Sequence, residues 1–350
     1  MKSTPSGKSP PPVVFDIKPY VRHDPLIGYR YIPLAEETLP RPGGGHYTIR
    51  INAQGIRSDR EYTPQKPPGI FRVVVCGDSF AAGQYVSNNQ RFSELLERRL
   101  PNLEVINIAL EGTGTDQQLL LFEEFARSYE FDLVLLFPFL QNISRNLADS
   151  RTAYDPKTHQ EILRPKPRFE LVNGKLELRN VPVTDQPILL STADERTLRN
   201  SDRNQSLQAR IKAFLQKSAA GRSLKRFANL FFDVEPFPEY RNSSTPAWQL
   251  MDAIIRRFKE SAGDKPLVIV PVFYSRYLRQ RTATNYLDRF RSLTQVSGIH
   301  VIDMLPHFRR LGEDGWRAFL DPYDCHYSPQ GNLVVADILQ AELSQLKLLP

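Results

Sequence analysis

The stretch at residues 71–83, FRVVVCGDSFAAG, decides how the rest of the chain is interpreted. Apart from Arg72, its first six residues, from Phe71 to Cys76, are apolar and rich in β-branched side chains, which predicts a buried strand. Gly77-Asp78-Ser79 then ends the apolar run abruptly. Ser79 is therefore predicted to lie at the carboxyl end of a strand, where open α/β sheets place their sites. A serine so placed can act as a nucleophile if other residues supply a base and an oxyanion hole.

Alternating strand and helix patterns follow this stretch and resume after a long interruption. Further strands are predicted at about 103–108, 131–137, 267–273 and 300–304. Helices are predicted at about 89–100, 116–129, 248–261, 285–296 and 328–346. Near-continuous apolar strands of this kind are typical of parallel strands covered by helices on both faces. The pattern therefore predicts an α/β fold with a five-stranded parallel sheet.

Composition and pattern divide the chain into four regions. Residues 1–14 are predicted to be a disordered tail, and residues 15–68 a small β-rich lead-in, since 12 of the 28 prolines fall within the first 70 residues. The core is assigned to residues 69–143 and 251–350. Residues 144–250 interrupt the α/β rhythm and are predicted to form an inserted cap over the edge of the sheet. This insertion contains basic helices and a hairpin signal with Asn173-Gly174 as its turn.

The net charge of +7 comes from one segment of the insertion. Seven basic residues and no acidic residue lie between Arg203 and Phe232, whereas 39 basic residues face 39 acidic ones elsewhere. A local charge of this kind argues against general nucleic-acid binding. The segment from Arg203 to Arg226 is either a solvated helix face or a surface for an anionic polysaccharide or a membrane.

The remaining sequence signals exclude several classes of protein. The N-terminus has no apolar segment typical of a signal peptide, and the longest apolar runs are shorter than a membrane span. We therefore expect a cytoplasmic protein, or an extracytoplasmic one if an anchor precedes this sequence. Cys76 and Cys325 are too few for a disulfide framework and are expected to be unreactive thiols. No cluster has metal-ligand spacing, and no cofactor is expected.

Polar groups follow the predicted strands at one edge of the sheet. Gly112 follows the second strand, Asn142 follows the third, and Asp324 and His326 precede the last helix. Because the carboxyl ends of parallel strands converge, these residues can meet Ser79. Their types suit acyl transfer, with Ser79 as nucleophile, His326 as base and Asp324 orienting the imidazole. The N–H groups of Ser79 and Gly112 and the amide of Asn142 would form the oxyanion hole.

The residues at these positions resemble the four sequence blocks of the SGNH (GDSL-type) hydrolase family, named for Ser, Gly, Asn and His. The four blocks correspond to Gly77-Asp78-Ser79-Phe80, Gly112, Asn142, and His326 with Gly331. The resemblance covers about residues 71–143 and 265–345, and it implies a three-layer, flavodoxin-like fold. The lead-in, with Asn52, Gly55 and Arg57, resembles the segment that precedes this fold in one bacterial branch of such proteins.

One departure from the family pattern concerns the third block. That block usually reads Gly-Asn-Asp, whereas this sequence has Gln141-Asn142-Ile143.

A second departure leaves the third member of the triad open. The family usually has Asp three residues before the histidine, where this sequence has Tyr323. Asp324 is the preferred candidate, because its Asp-x-His spacing resembles that of alginate O-acetyltransferase-like branches. Asp321 is the other candidate, and a dyad of Ser79 and His326 is a further possibility.

The resemblance implies a serine esterase that hydrolyses carboxylic esters through an acyl-serine intermediate. Short acyl groups such as acetyl, carried by a carbohydrate or glycan, are the expected substrates. An O-acyltransferase for polysaccharides would use the same residues, and an inactive glycan-binding module is a further alternative.

Overall fold

The computed structural model describes residues 15–16, 18–155, 160–189, 236–278, 282–320 and 323–350. The predicted tail at residues 1–14 and the basic segment from Arg203 to Arg226 lie outside these described residues. The anionic partner of that segment therefore stays a prediction.

The lead-in consists of short strands joined by tight turns. Its strands are β1 (Phe15–Asp16), β2 (Val21–Asp24), β3 (Gly28–Tyr31), β4 (Glu36–Pro40) and β5 (His46–Arg50). The antiparallel pairs β2–β3 and β4–β5 each form a hairpin. The turn between β4 and β5 contains Gly43, Gly44 and Gly45, which have φ angles of 82°, 115° and 79°. Glycine adopts such angles without the steric cost that a side chain would impose.

The first half of the core alternates strands with helices. Its strands are β6 (Phe71–Gly77), β7 (Leu103–Asn107) and β8 (Leu133–Phe137). Its helices are α1 (Ser79–Ala82), α2 (Phe92–Arg99), α3 (Thr115–Ala126) and α4 (Asn142–Arg145), with a 3-10 turn at Asn88–Gln90.

Between residues 150 and 189, the described part of the insertion is made of strands. These strands are β9 (Ser150–Asp155), β10 (Gln160–Pro165), β11 (Arg168–Val172), β12 (Lys175–Arg179) and β13 (Ile188–Leu189). Strands β1, β9, β10 and β13 form one sheet, which joins the lead-in to the insertion. The predicted hairpin is confirmed as β11–β12, and Asn173 and Gly174 both have the positive φ angles, 49° and 76°, that its two-residue turn requires.

The second half of the core completes the sheet. Its strands are β14 (Leu267–Ile269) and β15 (Ile299–Val301). Its helices are α5 (Pro246–Ser261), α6 (Asn285–Ser292), α7 (Leu305–Arg310) and α8 (Pro329–Gln345). Short 3-10 turns lie at Pro238–Tyr240, Ser275–Leu278, Leu293–Gln295 and Gly312–Ala318.

The five core strands form one parallel sheet in the order β15-β14-β8-β6-β7. Counted along the chain, this is the 2-1-3-4-5 order of flavodoxin-like folds. Helices α2 and α8 pack together, as do α3 and α5, and the sheet lies between these two pairs. The predicted three-layer α/β fold is therefore confirmed. The order of the strands reverses between β6 and β8, so a crevice opens at the carboxyl ends of these two strands.

Two predicted strands are shorter than expected, for local reasons. Strand β14 ends at Ile269 because Pro271 has no N–H to donate to the ladder, although Val272 still forms a bridge with Phe139. Strand β15 ends at Val301, and α7 begins at Leu305, whose N–H donates a 3.0 Å hydrogen bond to the side chain of Asp303 in the turn between them.

The length and hydropathy of the described helices show whether any of them could cross a membrane. None of them combines enough length with enough apolar character to cross a membrane.

Candidate active site

Ser79 lies at a sharp turn from strand to helix. Strand β6 ends at Gly77, and Asp78 caps α1 by accepting a hydrogen bond from Phe80 N at 3.2 Å. A Cβ atom at Gly77 would lie 2.5 Å from the Cβ of Ala81, so only glycine permits this close return of the chain. The turn places Ser79 at the first position of α1, where its side chain lines a pocket in the crevice beside β8.

His326 and Asp324 complete a hydrogen-bonded relay from Ser79. The Nε2 atom of His326 lies 2.7 Å from Ser79 Oγ, and Nδ1 of the same ring is hydrogen-bonded to Asp324 Oδ1. Asp324 Oδ1 also accepts a hydrogen bond from the backbone N–H of His326 at 3.0 Å. The structure thus brings together the three residues that the sequence proposed. The alternative acid, Asp321, lies outside the described residues.

The relay changes the ionisation of both partners. Burial raises the pKa of Asp324, but the hydrogen bonds and charge of His326 outweigh this effect and lower the pKa overall. Burial lowers the pKa of His326, but the neighbouring Cys325 and Asp324 outweigh it and raise the pKa above its ordinary value. A carboxylate at Asp324 therefore stabilises positive charge on the imidazole when His326 takes up a proton.

Gly112 lies in the loop after β7, where contacts from the lead-in hold its peptide group. The hydroxyl of Tyr29 donates a 2.6 Å hydrogen bond to the carbonyl oxygen of Glu111. Because the C=O and N–H of a trans peptide point in opposite directions, the N–H of Gly112 points away from Tyr29. The Glu111 carboxylate accepts a 2.7 Å hydrogen bond from Tyr20 and lies 3.9 Å from the Arg57 guanidinium. Gly112 lines the same pocket as Ser79.

Asn142 offers a buried amide donor at the start of α4. Its Oδ1 accepts a 3.1 Å hydrogen bond from Arg145 Nη1, which determines the direction in which Nδ2 points. That Nδ2 atom is buried and has no hydrogen-bond partner among the described residues. An unpaired buried donor costs about 1–3 kcal/mol, so a functional reason is expected for it. Asn142 Nδ2 is therefore a candidate donor to a group bound at the site.

Arg145 connects the strand ends around the site. Its Nη1 atom donates to Asp78 Oδ2 at 2.8 Å and to the carbonyl oxygen of Thr113 at 3.2 Å, as well as to Asn142. The sequence did not indicate this role for Arg145. Its position three residues after Asn142, on the same face of a helical turn, was the available signal.

Gln141, where the family pattern has glycine, also takes part in the site. Its Oε1 atom accepts hydrogen bonds from the Tyr274 hydroxyl at 3.0 Å and from Arg145 Nη2 at 3.4 Å. Its side chain therefore links α4 to the segment after β14.

The pocket at Ser79 is small, with an aromatic wall and a cationic rim. Its volume is about 90 Å³, which is enough for a few groups the size of a water molecule. The rings of Phe80 and His326 lie 4.6 Å apart, centroid to centroid. The aromatic residues that line the pocket are Phe80, Tyr85, Phe139 and Tyr274, and the cationic residues are Lys18, Arg145 and Arg151.

One group of side chains among the described residues has the geometry to hold a metal ion. The ligand atoms of Asp324, Cys325 and His326 lie within 4.8 Å of one another. Both ring nitrogens of His326 are engaged, however, by Ser79 and Asp324. A metal ion on this ring would have to replace one of these hydrogen bonds.

Comparison with known proteins yields similarity in solved structures alone. No protein-family model matches the chain, and no curated protein matches it. A member of the lipolytic protein G-D-S-L family from Veillonella parvula is 10% identical, with a TM-score of 0.40, over 78% of this chain and 98% of that chain. A lipase/acylhydrolase from Enterococcus faecalis is 13% identical, with a TM-score of 0.38, over 79% and 96%. An acetyl xylan esterase is 14% identical, with a TM-score of 0.41, over 78% and 100%. At these values the function has to be inferred from the geometry of the site.

Proposed function

We propose that this chain is a serine esterase that hydrolyses carboxylic esters. The observation that carries the proposal is the relay from Ser79 through His326 to Asp324. Asn142, whose buried Nδ2 has no partner among the described residues, is linked through Arg145 to Asp78, the residue before Ser79. Nucleophile, base, orienting acid and oxyanion donor are the four groups that acyl transfer through serine requires.

Acylation would use each group in a defined step. Ser79 Oγ attacks the ester carbonyl carbon while His326 Nε2 accepts the hydroxyl proton. The negative charge that forms on the carbonyl oxygen is stabilised by the N–H groups of Ser79 and Gly112 and by Asn142 Nδ2. When the tetrahedral intermediate collapses, the bond to the alcohol breaks, and His326 gives its proton to the departing oxygen.

Deacylation would repeat the sequence with water as the nucleophile. His326 Nε2 removes a proton from water, which attacks the acyl-serine carbonyl carbon. The same donors stabilise the second oxyanion. Breaking the bond to Ser79 Oγ then releases the carboxylic acid and returns the proton to the serine.

The dimensions and polarity of the pocket support a short acyl group on a hydrophilic alcohol. A volume of about 90 Å³ suits acetyl better than a long chain. The polar and cationic side chains on the rim include Gln84, Gln141 and Arg145, which suit a sugar more than a lipid. We therefore propose an acetyl ester of a carbohydrate as the substrate.

The test is hydrolysis of 4-nitrophenyl acetate, butyrate and octanoate by the wild type and by Ser79→Ala. The wild type should prefer acetate, and Ser79→Ala should be inactive. A 4-nitrophenyl alkylphosphonate should react with Ser79 Oγ, releasing 4-nitrophenol and adding the mass of the alkylphosphonyl group to a peptide that contains Ser79. Activity in Ser79→Ala equal to that of the wild type would refute the mechanism. If the acetyl group is recovered on an added sugar instead of as free acetate, the reaction is transfer and not hydrolysis.

A further inference from the structure

Arg151, in strand β9, extends from the insertion to the edge of the candidate active site. Its Nη1 atom donates a 2.6 Å hydrogen bond to the carbonyl oxygen of Gly112, the residue whose N–H serves the proposed oxyanion hole. Arg151 also lines the pocket that contains Ser79. The relay does not use this residue, so its charge needs a separate explanation.

The carboxylates of the pocket are already committed to other groups. Asp324 is hydrogen-bonded to His326. Glu111 accepts a hydrogen bond from Tyr20 and faces Arg57. Within the described ranges, no carboxylate lies within ion-pair distance of the Arg151 guanidinium.

Arg145 provides an internal comparison, since it lines the same pocket. Its guanidinium is paired with Asp78 at 2.8 Å and makes further hydrogen bonds to Thr113 and Asn142. A guanidinium carries five N–H donors, and Arg151 commits one of them to Gly112 in the described part of the chain. Arg145 is thus paired with a carboxylate, whereas Arg151 is not paired with one in the described part of the chain.

The surroundings of Arg151 disfavour its positive charge. Burial lowers its pKa to about 10 and repulsion from Arg145 adds to this decrease, while Tyr29, Asp78 and Asp116 oppose it. Arg151 also lines a second, smaller cavity, whose other charged residues are Arg164, Lys166 and Asp185. The Nε atom of Arg164 is buried and has no partner among the described residues.

We propose that Arg151 binds a carboxylate of the substrate, so that the preferred ester is an acetylated acidic sugar. Arginine suits this role because its planar N–H donors match the two oxygens of a carboxylate. The bound anion would neutralise the charge that the protein leaves uncompensated beside Gly112. This proposal rests on the proposed esterase function and names its substrate class.

The test compares two acetylated methyl glucuronosides, one with a free carboxylate and one with a primary amide in its place. Both carry the same acetyl groups, and an esterase does not remove the amide. Acetate release should give the wild type a kcat/KM roughly 10- to 100-fold higher for the acid, the range expected for a charged hydrogen bond. Arg151→Gln should bring this ratio close to one, and Arg151→Lys should retain part of it.

Arg179→Gln is the matched control. Arg179 lies on the β11–β12 hairpin, pairs with Glu170 and Glu177, and has a side chain that is 47% exposed. Its loss removes one positive charge from the same insertion without touching the pocket, so the acid-to-amide ratio should not change. Added salt should lower the ratio in the wild type, because screening weakens an interaction between charges.

Several outcomes would overturn the proposal. An acid-to-amide ratio of kcat/KM near one in the wild type, or a high ratio that is unchanged in Arg151→Gln, would show that Arg151 does not bind the carboxylate. An equal fall for both sugars in Arg151→Gln would assign Arg151 only to supporting the Gly112 loop. Turnover of 4-nitrophenyl acetate without turnover of the acid would also refute it, while leaving the esterase function intact. If the wild type hydrolyses none of the esters, the esterase function itself fails.

Discussion

The two sides of the candidate active site are built in different ways. On the nucleophile side, Ser79 is held by its own turn, and His326 by an acid two residues away, Asp324. On the oxyanion side, Tyr20, Tyr29 and Arg57 of the lead-in contact Glu111, the residue before Gly112. Asn142 is held by Arg145 of its own helical turn, which in turn bonds the distant Asp78 and Thr113.

The difference shows which part of the site depends on contacts between distant segments of the chain. The nucleophile side needs one long-range contact, between His326 and Ser79, which spans 247 residues. The oxyanion side needs several, and none of them touches the reacting atoms. Substitutions on the nucleophile side should therefore abolish the reaction. Substitutions on the oxyanion side should lower kcat by smaller amounts that differ from residue to residue.

The largest effect is expected for His326→Ala. Without the base, Ser79 loses the group that takes its proton, and kcat for 4-nitrophenyl acetate should fall roughly 10⁴- to 10⁶-fold. A continuous assay of 4-nitrophenol release measures kcat, and circular dichroism shows whether the variant is folded. His300→Ala, on the edge strand β15, is the control and should keep wild-type activity. A fall of less than tenfold in His326→Ala would contradict the assignment of the base.

Asp324→Asn should lower kcat roughly 10³- to 10⁴-fold, because an amide does not stabilise the imidazolium. It should also shift the pH profile. His326 must be neutral to act as base, and Asp324 raises its pKa, so kcat/KM in the wild type falls as the pH drops through that raised pKa. Removing the carboxylate lowers the pKa of His326 and moves this acid limb to lower pH.

The profile of kcat/KM against pH in both proteins tests this prediction. An acid limb at the same pH in Asp324→Asn would mean that another group, Cys325 or Asp321, sets the pKa of His326.

On the oxyanion side, Asn142→Ala should lower kcat roughly 10²- to 10³-fold and change KM much less. The reason is that Nδ2 acts on charge that develops only in the transition state. Thermal unfolding should show a modest loss of stability, since the variant loses the hydrogen bond that Oδ1 accepts from Arg145 but no partner of the buried Nδ2. Ser144→Ala, at an exposed position of the same helical turn, serves as control. Unchanged kcat in Asn142→Ala would remove Asn142 from the oxyanion hole.

The smallest effect is expected for Tyr29→Phe. This change removes the hydroxyl that holds the Glu111 carbonyl and should lower kcat roughly threefold to tenfold, the value of one neutral hydrogen bond. Tyr129→Phe is the control, because its hydroxyl bonds Gln54 of the lead-in away from the pocket. Equal kcat in the two variants would mean that the lead-in does not position Gly112.

Local patterns in the sequence predicted the scaffold and the reactive groups. Apolar runs identified all five core strands, and Asn173-Gly174 identified the hairpin. Turn residues at strand ends identified Ser79 and Gly112. These signals depend on a few neighbouring residues, so they can be interpreted without the fold. Strand ends were less accurate, because Pro271 and Asp303 act on single hydrogen bonds.

The sequence by itself determined that a serine, a glycine, an asparagine and a histidine lie at one edge of a parallel sheet. Only the tertiary structure decided what holds and surrounds them. Tyr29 reaches Glu111 across 82 residues, and Arg145 reaches Asp78 across 67. Arg151 meets the Gly112 carbonyl from a strand of the insertion, without a carboxylate beside it in the described part of the chain. Such contacts depend on how separate segments pack against each other. They cannot be inferred from the residue pattern of either segment alone.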